Sequence, residues 1–343
     1  MIEKIKIENL TVFEDLEIDT SAPINVFIGE NGTGKTQILK FIYMILNAKS
    51  VKADNNPSYF GTPSTFGKAF LGDEPRNFIR PSDNKKEPAS MFIISAEKGY
   101  SGVYKLMHSP HLGQITDSLM SHNGLARNSV FIPAKDMLTH SKGLPSMKKD
   151  YGENMPFDET YINIIEKAGK WNKQKIPQIA KEIVPILEGI MDGVVEIDNE
   201  VFFIRKHNGQ RIRFDLEAEG VKKIGLLWQL LMSETIVEGT ILLWDEPDAN
   251  LNPNLASTIA HMLLELSRNG VQIFLSTHSY FLPKYFDLLE KDKKEVVFHS
   301  LYRENDDKNS PVICETSDTF TMLRRNSILG EIVELFEREM EWE

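Results

Sequence analysis

The sequence predicts an α/β fold: a mixed central sheet, antiparallel β elements at the N-terminus, and a helical or loop insertion. Three observations predict it. Charged and apolar residues alternate over residues 2–8, in the manner of a half-buried strand. A short apolar run, INVFIG at 24–29, is followed at once by an amphipathic stretch. The same strand–helix–strand rhythm returns after residue 215.

Taken in order, Ile2, Ile5 and Ile7 mark the first strand. INVFIG follows Pro23 and reads as a buried strand. A helix is expected from Gly34, with Ile38, Ile42 and Ile45 along one face and Leu39 and Leu46 beside them. Residues 50–90 are rich in Asn, Pro, Ser, Gly and Lys and read as loops with little core. Two strands follow, MFIIS at 91–95 and SVFIPA at 129–134. Residues 155–190 have helical texture, and 193–214 read as a hairpin turning at Asn208-Gly209. A helix is expected over about 220–236, then a buried strand, ILLW at 241–244. Asn252 stands at an N-cap and Pro253 at the first helical position. That helix turns Leu255, Ile259, Met262, Leu263 and Leu266 inward. Gly270 ends it, and VQIFLS at 271–276 is the next buried strand. There is no internal repeat and no sustained heptad pattern. The expected organisation is one domain, 1–343, with its core in 1–50 and 190–343 and an insertion or lid over about 51–190.

Composition bounds the function. Apolar residues make up 41% and charged residues 26% of the 343, ordinary values for a chain with a sizeable core. The single cysteine, Cys314, excludes an internal disulfide and fits a reducing compartment. The N-terminus lacks the apolar stretch of a signal peptide. The longest apolar runs, such as FIYMIL at 41–46, are too short to span a bilayer. A cytoplasmic protein with no membrane partner is expected. The net charge of −11 argues against whole-surface attraction to nucleic acid and leaves a local basic patch open.

Three motifs carry chemistry. Residues 29–36, GENGTGKT, match the phosphate-binding P-loop pattern between a buried strand and an amphipathic helix. Gly29, Gly32 and Gly34 let the backbone wrap tightly, so that the N–H groups of Glu30, Asn31, Gly32, Thr33 and Gly34 can face phosphate oxygens. The helix N-terminus adds its dipole. Lys35 reaches the β- and γ-phosphates, and the Thr36 hydroxyl suits Mg²⁺. Next, ILLWDEPDANLNP at 241–253 ends a strand in two carboxylates. Asp245 would hold Mg²⁺, and Glu246 would orient and deprotonate an attacking water. Last, LSTHS at 275–279 places His278 past the neighbouring strand, where it can hydrogen-bond a γ-phosphate. ATP and Mg²⁺ are the expected cofactors, with Glu246 and His278 as catalytic candidates.

P-loop, Asp-Glu and histidine in this order resemble the ABC-type branch of P-loop NTPases. IEKIKIENLTVFEDLEI before INVFIGENGTGKT resembles the RecF, SMC and OLD side rather than transporters. DEPDANLNP, STHS and FIPAKDMLTHS at 131–141 are similar to stand-alone bacterial "AAA family ATPase" proteins of anti-phage systems. The resemblance covers about 1–47 and 125 to the chain end, and leaves 50–90 uncovered. It implies ATP sandwiched between two copies of the chain, hence a homodimer or higher oligomer, and a separate effector protein. It also implies a signature motif acting across the dimer, at LEAEGVKKIGLL, 216–227. Gly220 takes the second glycine position. Ala218 stands where a serine is expected and Glu219 replaces a glycine, which puts fast turnover in doubt. Asp248 and Asn252 fall in the loop expected across the interface, and Gln114 is the one glutamine offered for the metal-contacting loop. The absent coiled coil argues against SMC-type tethering, and the 65 residues after His278 leave little room for an OLD-type nuclease. The intact signature and membrane partner of a transporter subunit are also missing.

Lys167, Lys170, Lys173, Lys175 and Lys181 cluster around Trp171, and Arg205, Lys206, Arg211 and Arg213 decorate the hairpin. Either set can meet nucleic-acid phosphates or form a solvated face. The terminal IVELFEREMEWE reads as an acidic amphipathic helix packed on its own domain. The expected function is an ATP-driven switch controlling an effector. Its rivals are a RecF-like DNA repair ATPase that binds nucleic acid directly and a slow-hydrolysing nucleotide-gated scaffold.

Overall fold

A computed structural model describes residues 1–47, 51–52, 59–61, 75–80, 89–95, 101–109, 114–121, 128–151, 157–305 and 307–341. Apolar strands set its centre. β3 (Ile24–Gly29), β13 (Ile241–Asp245), β14 (Gln272–Ser276) and β9 (Ser129–Ile132) are buried at every position. Such runs belong to strands covered on both faces. With β15 (Val296–Arg303) and β16 (Val312–Ser317) they form a six-stranded sheet, ordered β16-β15-β3-β14-β13-β9. β9, β13, β14, β3 and β15 run parallel, and β16 is antiparallel at one edge.

The period-2 alternation of these strands divides the core. Val26, Ile28, Leu242, Trp244, Ile273 and Leu275 face one apolar cluster, while Phe27, Phe131, Leu243 and Phe274 face a second. The second cluster is built around α1 (Lys35–Leu46), whose Ile38, Leu39, Ile42, Ile45 and Leu46 are buried. Across α1 lie β1 (Ile2–Leu10), the strand that the N-terminal alternation predicts, and β2 (Phe13–Asp19), which pairs with it antiparallel. These belong to a seven-stranded antiparallel sheet, β2-β1-β6-β7-β8-β5-β4. The other strands are β4 (Val51–Lys52), β5 (Tyr59–Gly61), β6 (Ala89–Ser95), β7 (Ser101–Ser109) and β8 (Gln114–Ser121). The opposite face of the central sheet is covered by α3 (Glu159–Ala168), α4 (Val184–Met191), α5 (Glu219–Met232) and α6 (Ala256–Arg268). Short helices α2 (Leu144–Tyr151) and α7 (Phe281–Leu289) complete this part of the fold. A Lys40–Asp158 ion pair of 2.7 Å ties α1 to the start of α3.

The mixed sheet and the antiparallel N-terminal strands agree with the sequence reading. The segment expected as a helical or loop insertion differs: it supplies five strands to the antiparallel sheet, and β9 belongs to the central sheet beside β13. Most of the stretch expected as loops, 50–90, lies outside the described residues. Within the helical texture of 155–190, residues 169–183 are turns and a 3-10 segment between α3 and α4. The hairpin at Asn208-Gly209 joins β11 (Val201–Lys206) to β12 (Arg211–Arg213). A second one, through Asn199-Glu200, joins β11 to β10 (Gly193–Asp198).

The terminal helix α8 (Ser327–Glu341) forms where expected but does not pack as expected. Ile328 meets the core, whereas Val333, Leu335, Phe336 and Met340 are exposed, the last two at 60% and 75%. Ile328, Leu329, Ile332, Val333, Phe336 and Met340 share one face, opposite Glu331, Glu334 and Glu337, and only its first turns, Ile328, Leu329 and Ile332, are part-buried.

Candidate functional site

Parallel pairing brings the three sequence motifs to one edge. β3, β14 and β13 are neighbours, with Ser276 paired to Phe27 on one side and to Asp245 on the other. Their carboxyl ends therefore release the P-loop, the His278 segment and the acidic turn side by side, at the crevice where open α/β sheets bind ligands.

The P-loop conformation requires its glycines at two points. A Cβ on Gly29 would lie 2.2 Å from the Leu301 carbonyl oxygen. Gly34 has φ +90°, and a Cβ there would meet the Phe13 ring at 2.5 Å. Gly34 is also the N-cap of α1 and offers no capping side chain, so the first-turn N–H groups point into the loop. Glu30, Asn31 and Gly32 are exposed at the loop's tip, and the Thr33 hydroxyl donates to the Glu30 carbonyl at 2.8 Å. Lys35 Nζ donates to the carbonyls of Gly29 and Glu30, both at 2.8 Å. Burial pushes its pKa down to about 8, opposed by the carboxylates of Asp245, Glu246 and Glu30.

Thr36 and Asp245 meet at the centre. The Thr36 hydroxyl lies 3.0 and 2.9 Å from the two Asp245 carboxylate oxygens, and Ser276 Oγ also donates to Asp245. One carboxylate beside one hydroxyl suits Mg²⁺, which keeps waters and takes phosphate oxygens for its remaining positions. Among the described residues no three His, Cys, Asp or Glu side chains converge, and a site of that kind does not need them.

Glu246 follows with φ +49°, a left-handed conformation rare outside glycine. Its N–H donates to the Ser276 carbonyl at 3.1 Å, which turns the side chain toward His278. His278 Nε2 stands 3.8 Å from Glu246 Oε1. Burial, and then Lys35, hold the imidazole below its ordinary pKa, so it is neutral at pH 7. One residue earlier, Thr277 Oγ1 donates to both oxygens of Asp248 at 2.9 Å. Burial raises the Asp248 pKa, and the Thr277 hydrogen bond opposes that rise.

Gly220 is not among these groups within the chain. It lies in the first turn of α5, where a Cβ would come 2.7 Å from Leu251 and 3.3 Å from the Asn250 carbonyl. The segment after the acidic turn thus packs on the start of α5. Asn252 caps the next turn as expected, accepting from the Asn254 N–H at 3.0 Å. Gln114 begins β8, in the antiparallel sheet. The loop beside Asp245 is instead the one after β9, which contains Lys135 and Asp136 and no glutamine.

Sequence reasoning missed Lys223. Its Nζ donates to the Glu246 carbonyl at 2.6 Å. The paired lysines of EGVKK were a visible signal, but nothing in the spacing says which carbonyl one of them would reach. Several residues of the two basic sets are already paired within the chain. Lys167 turns inward to the Ser129 carbonyl, and Lys173 pairs with Glu234 at 3.0 Å. Lys206 pairs with Glu217 at 2.7 Å, and Arg205 and Arg211 pair with Glu196 at 2.5 and 3.4 Å. Trp171 is 94% exposed.

Two protein-family profiles match the chain. One, described as an AAA domain, putative AbiEii toxin of a type IV toxin–antitoxin system, covers residues 122–282. The other, an AAA ATPase domain, covers residues 1–94. The DNA replication and repair protein RecF of Lysinibacillus sphaericus is 30% identical over 150 residues, 44% of this chain and 36% of that protein. RecF of Lactobacillus gasseri is 21% identical over 255 residues, 70% of this chain and 63% of that protein. In fold, the Smc head domain of Pyrococcus furiosus, solved with an extended coiled coil and bound to the C-terminal domain of ScpA, superposes with a TM-score of 0.57. It is 13% identical, and the match covers 99% of both chains.

The chain is a P-loop domain of the ATPase type, similar to RecF in sequence and to an Smc head in fold.

It spans about a third of the length of the first curated relative that it matches. Among the described residues, no helix is long and apolar enough to cross a membrane.

Proposed function

We propose that the chain is a Mg²⁺-dependent ATPase switch, cytoplasmic, in which two copies close around ATP and open on hydrolysis to control a separate effector. The observation that carries it is the convergence of Lys35, Thr36, Asp245, Glu246 and His278 on one sheet edge. Backbone N–H groups of residues 30–34 and the Lys35 ammonium hold the β- and γ-phosphates. Thr36 and Asp245 would hold Mg²⁺, which would supply charge neutralisation at the phosphates. Glu246 takes a proton from water as its oxygen bonds to the γ-phosphorus and the bond to the ADP oxygen breaks. Neutral His278 carries one N–H, which donates a hydrogen bond to the γ-phosphoryl oxygens. Gly220 and the uncapped start of α5 face the nucleotide held by the partner copy.

The toxin–antitoxin description of one matched family and the resemblance to anti-phage ATPases support the effector, in a defence role. A second reading, direct DNA binding in repair, is favoured by the RecF relatives.

Glu246→Gln keeps the shape while losing the base. Hydrolysis is expected to fall by roughly 10²–10⁴-fold, so that an ATP-filled dimer accumulates. Gly220→Arg should bind ATP yet never dimerise. Light scattering with and without ATP is the test. If both variants keep one size in both conditions, the sandwich is wrong.

A further inference from the structure

We propose that Lys223 positions the catalytic glutamate, tying it to the signature helix of its own chain. The inference rests on the ATPase reading above and adds a residue to it.

The Glu246 peptide is held from two sides. Its N–H donates to the Ser276 carbonyl of β14 at 3.1 Å. Its carbonyl accepts from Ala249 N at 3.2 Å and from Lys223 Nζ at 2.6 Å. The Lys223 contact is the one that comes from another element. Between the two peptide groups the residue adopts φ +49°, which a non-glycine residue keeps only when its surroundings fix it. Relaxation of that turn would swing the carboxylate off the line of attack.

Lys223 is built in rather than draped over the surface. It is 4% exposed, and a buried ammonium persists only with hydrogen-bond and charge partners. The carboxylates of Asp248, Glu246, Asp245 and Glu219 surround it and support its charge, against the lowering of its pKa by burial. Its nearest acceptor, however, is the backbone of Glu246 and not a carboxylate. The ammonium therefore fixes a peptide orientation and leaves the Glu246 side chain free for water.

The same helix grips the segment a second time. Gly220, one turn earlier, packs against Asn250 and Leu251. Helix α5 thus holds residues 246–251 at two points. On the sandwich reading, the start of α5 touches the partner's nucleotide. Closure at one site then braces the glutamate of the other.

The test compares Lys223→Met, which keeps the length without the donor, with Lys223→Arg, which keeps donor and charge. MgATP affinity, kcat and ATP-dependent dimer size are measured for each, alone and with Glu246→Gln. Lys223→Met should lower kcat at least tenfold, keep the MgATP Kd within twofold and still form the dimer. Lys223→Arg should restore most of the rate. In the Glu246→Gln background Lys223→Met should cost nothing further, because both act through one base. Wild-type turnover in Lys223→Met, losses that multiply with Glu246→Gln, or a Kd that worsens in step with kcat would each overturn the inference while leaving the ATPase reading intact. A wild type that binds MgATP but never turns it over overturns both.

Discussion

Lys35 makes opposite demands on the free and nucleotide-bound protein, and pH separates them. The side chain is 6% exposed, and burial brings its pKa from 10.5 down to about 8. That depression corresponds to about 3 kcal/mol of destabilised charge in the nucleotide-free fold. The signs are then fixed. Unfolded chain binds this proton up to its ordinary pKa, whereas folded chain releases it above about 8. Stability of the free protein should therefore rise between pH 8 and 10.5, by up to about 3 kcal/mol from this group. ATP needs the ammonium, and its phosphates restore the proton. Affinity should be flat below pH 8 and fall by up to tenfold per unit above it. Lys35→Met should remove both effects: ATP binding is lost at every pH, and the alkaline gain in stability disappears. Losing the donor to the Gly29 and Glu30 carbonyls offsets part of the relief in the variant. Isothermal titration and denaturant unfolding at pH 7, 8 and 9 measure the two arms. ATP affinity that is undiminished in Lys35→Met refutes the P-loop assignment. Affinity that does not change from pH 8 to 9 in the wild type refutes the buried, depressed lysine.

Two other outcomes are expected. His299 is fully buried between Asn25 and Thr316, and burial brings its pKa to about 3, so it stays neutral while the unfolded chain protonates below about 6.5. Stability should fall by about 2 kcal/mol between pH 7 and 5 from this group, and His299→Gln should flatten that part of the unfolding profile. If DNA or RNA meets the exposed lysines of the insertion, its affinity should fall steeply with salt, and reversing Lys170, Lys173 and Lys175 to Glu should abolish it. Filter binding that is flat in salt removes the DNA-binding reading.

The site was legible because each of its motifs is local. A buried strand, a loop of fixed glycine spacing and an amphipathic helix sit within residues 24–46 and need no distant partner to be recognised. Asp245, Glu246 and His278 each follow a strand whose apolar run announces it. Pairing was not legible, because β9 reads as any short buried strand until β13 lies beside it. Nor was the β10–β11 turn: Asn199 and Glu200 take φ +49° and +64°, a two-residue turn without the glycine that usually marks it. Helical texture over 169–183 gave way to irregular structure around Trp171, where lysines, a proline and Gly169 outweigh the few apolar residues. Lys223 escaped for a different reason. Its role lies in a hydrogen bond spanning 23 residues, and residue type alone does not reveal such a partner.

Relative to the signature of the ATPases it resembles, the segment 216–227 departs at Ala218 and Glu219. Glu219 would place a carboxylate near a phosphate across the dimer, an unfavourable approach. In the structure Lys222 Nζ holds Glu219 Oε1 at 2.8 Å, which compensates that charge locally. Ala218 is the N-cap of α5 and makes no side-chain cap, so the helix keeps its unpaired N–H groups for an anion. What is missing relative to a serine is one hydroxyl donor, worth about 1–2 kcal/mol to a charged acceptor, or roughly tenfold at each site. A symmetric dimer forms this contact at each of its two sites, so Ala218→Ser should strengthen ATP-driven dimerisation by roughly tenfold per site, about a hundredfold in all. The new hydroxyl can also cap α5, which stabilises the free protein by about 1 kcal/mol. The two effects separate experimentally. Capping raises the thermal midpoint without nucleotide, while phosphate contact shifts only the ATP-dependent dimerisation constant. If the midpoint rises and the dimerisation constant stays put, α5 does not face the partner's nucleotide, and the altered signature has no bearing on closure.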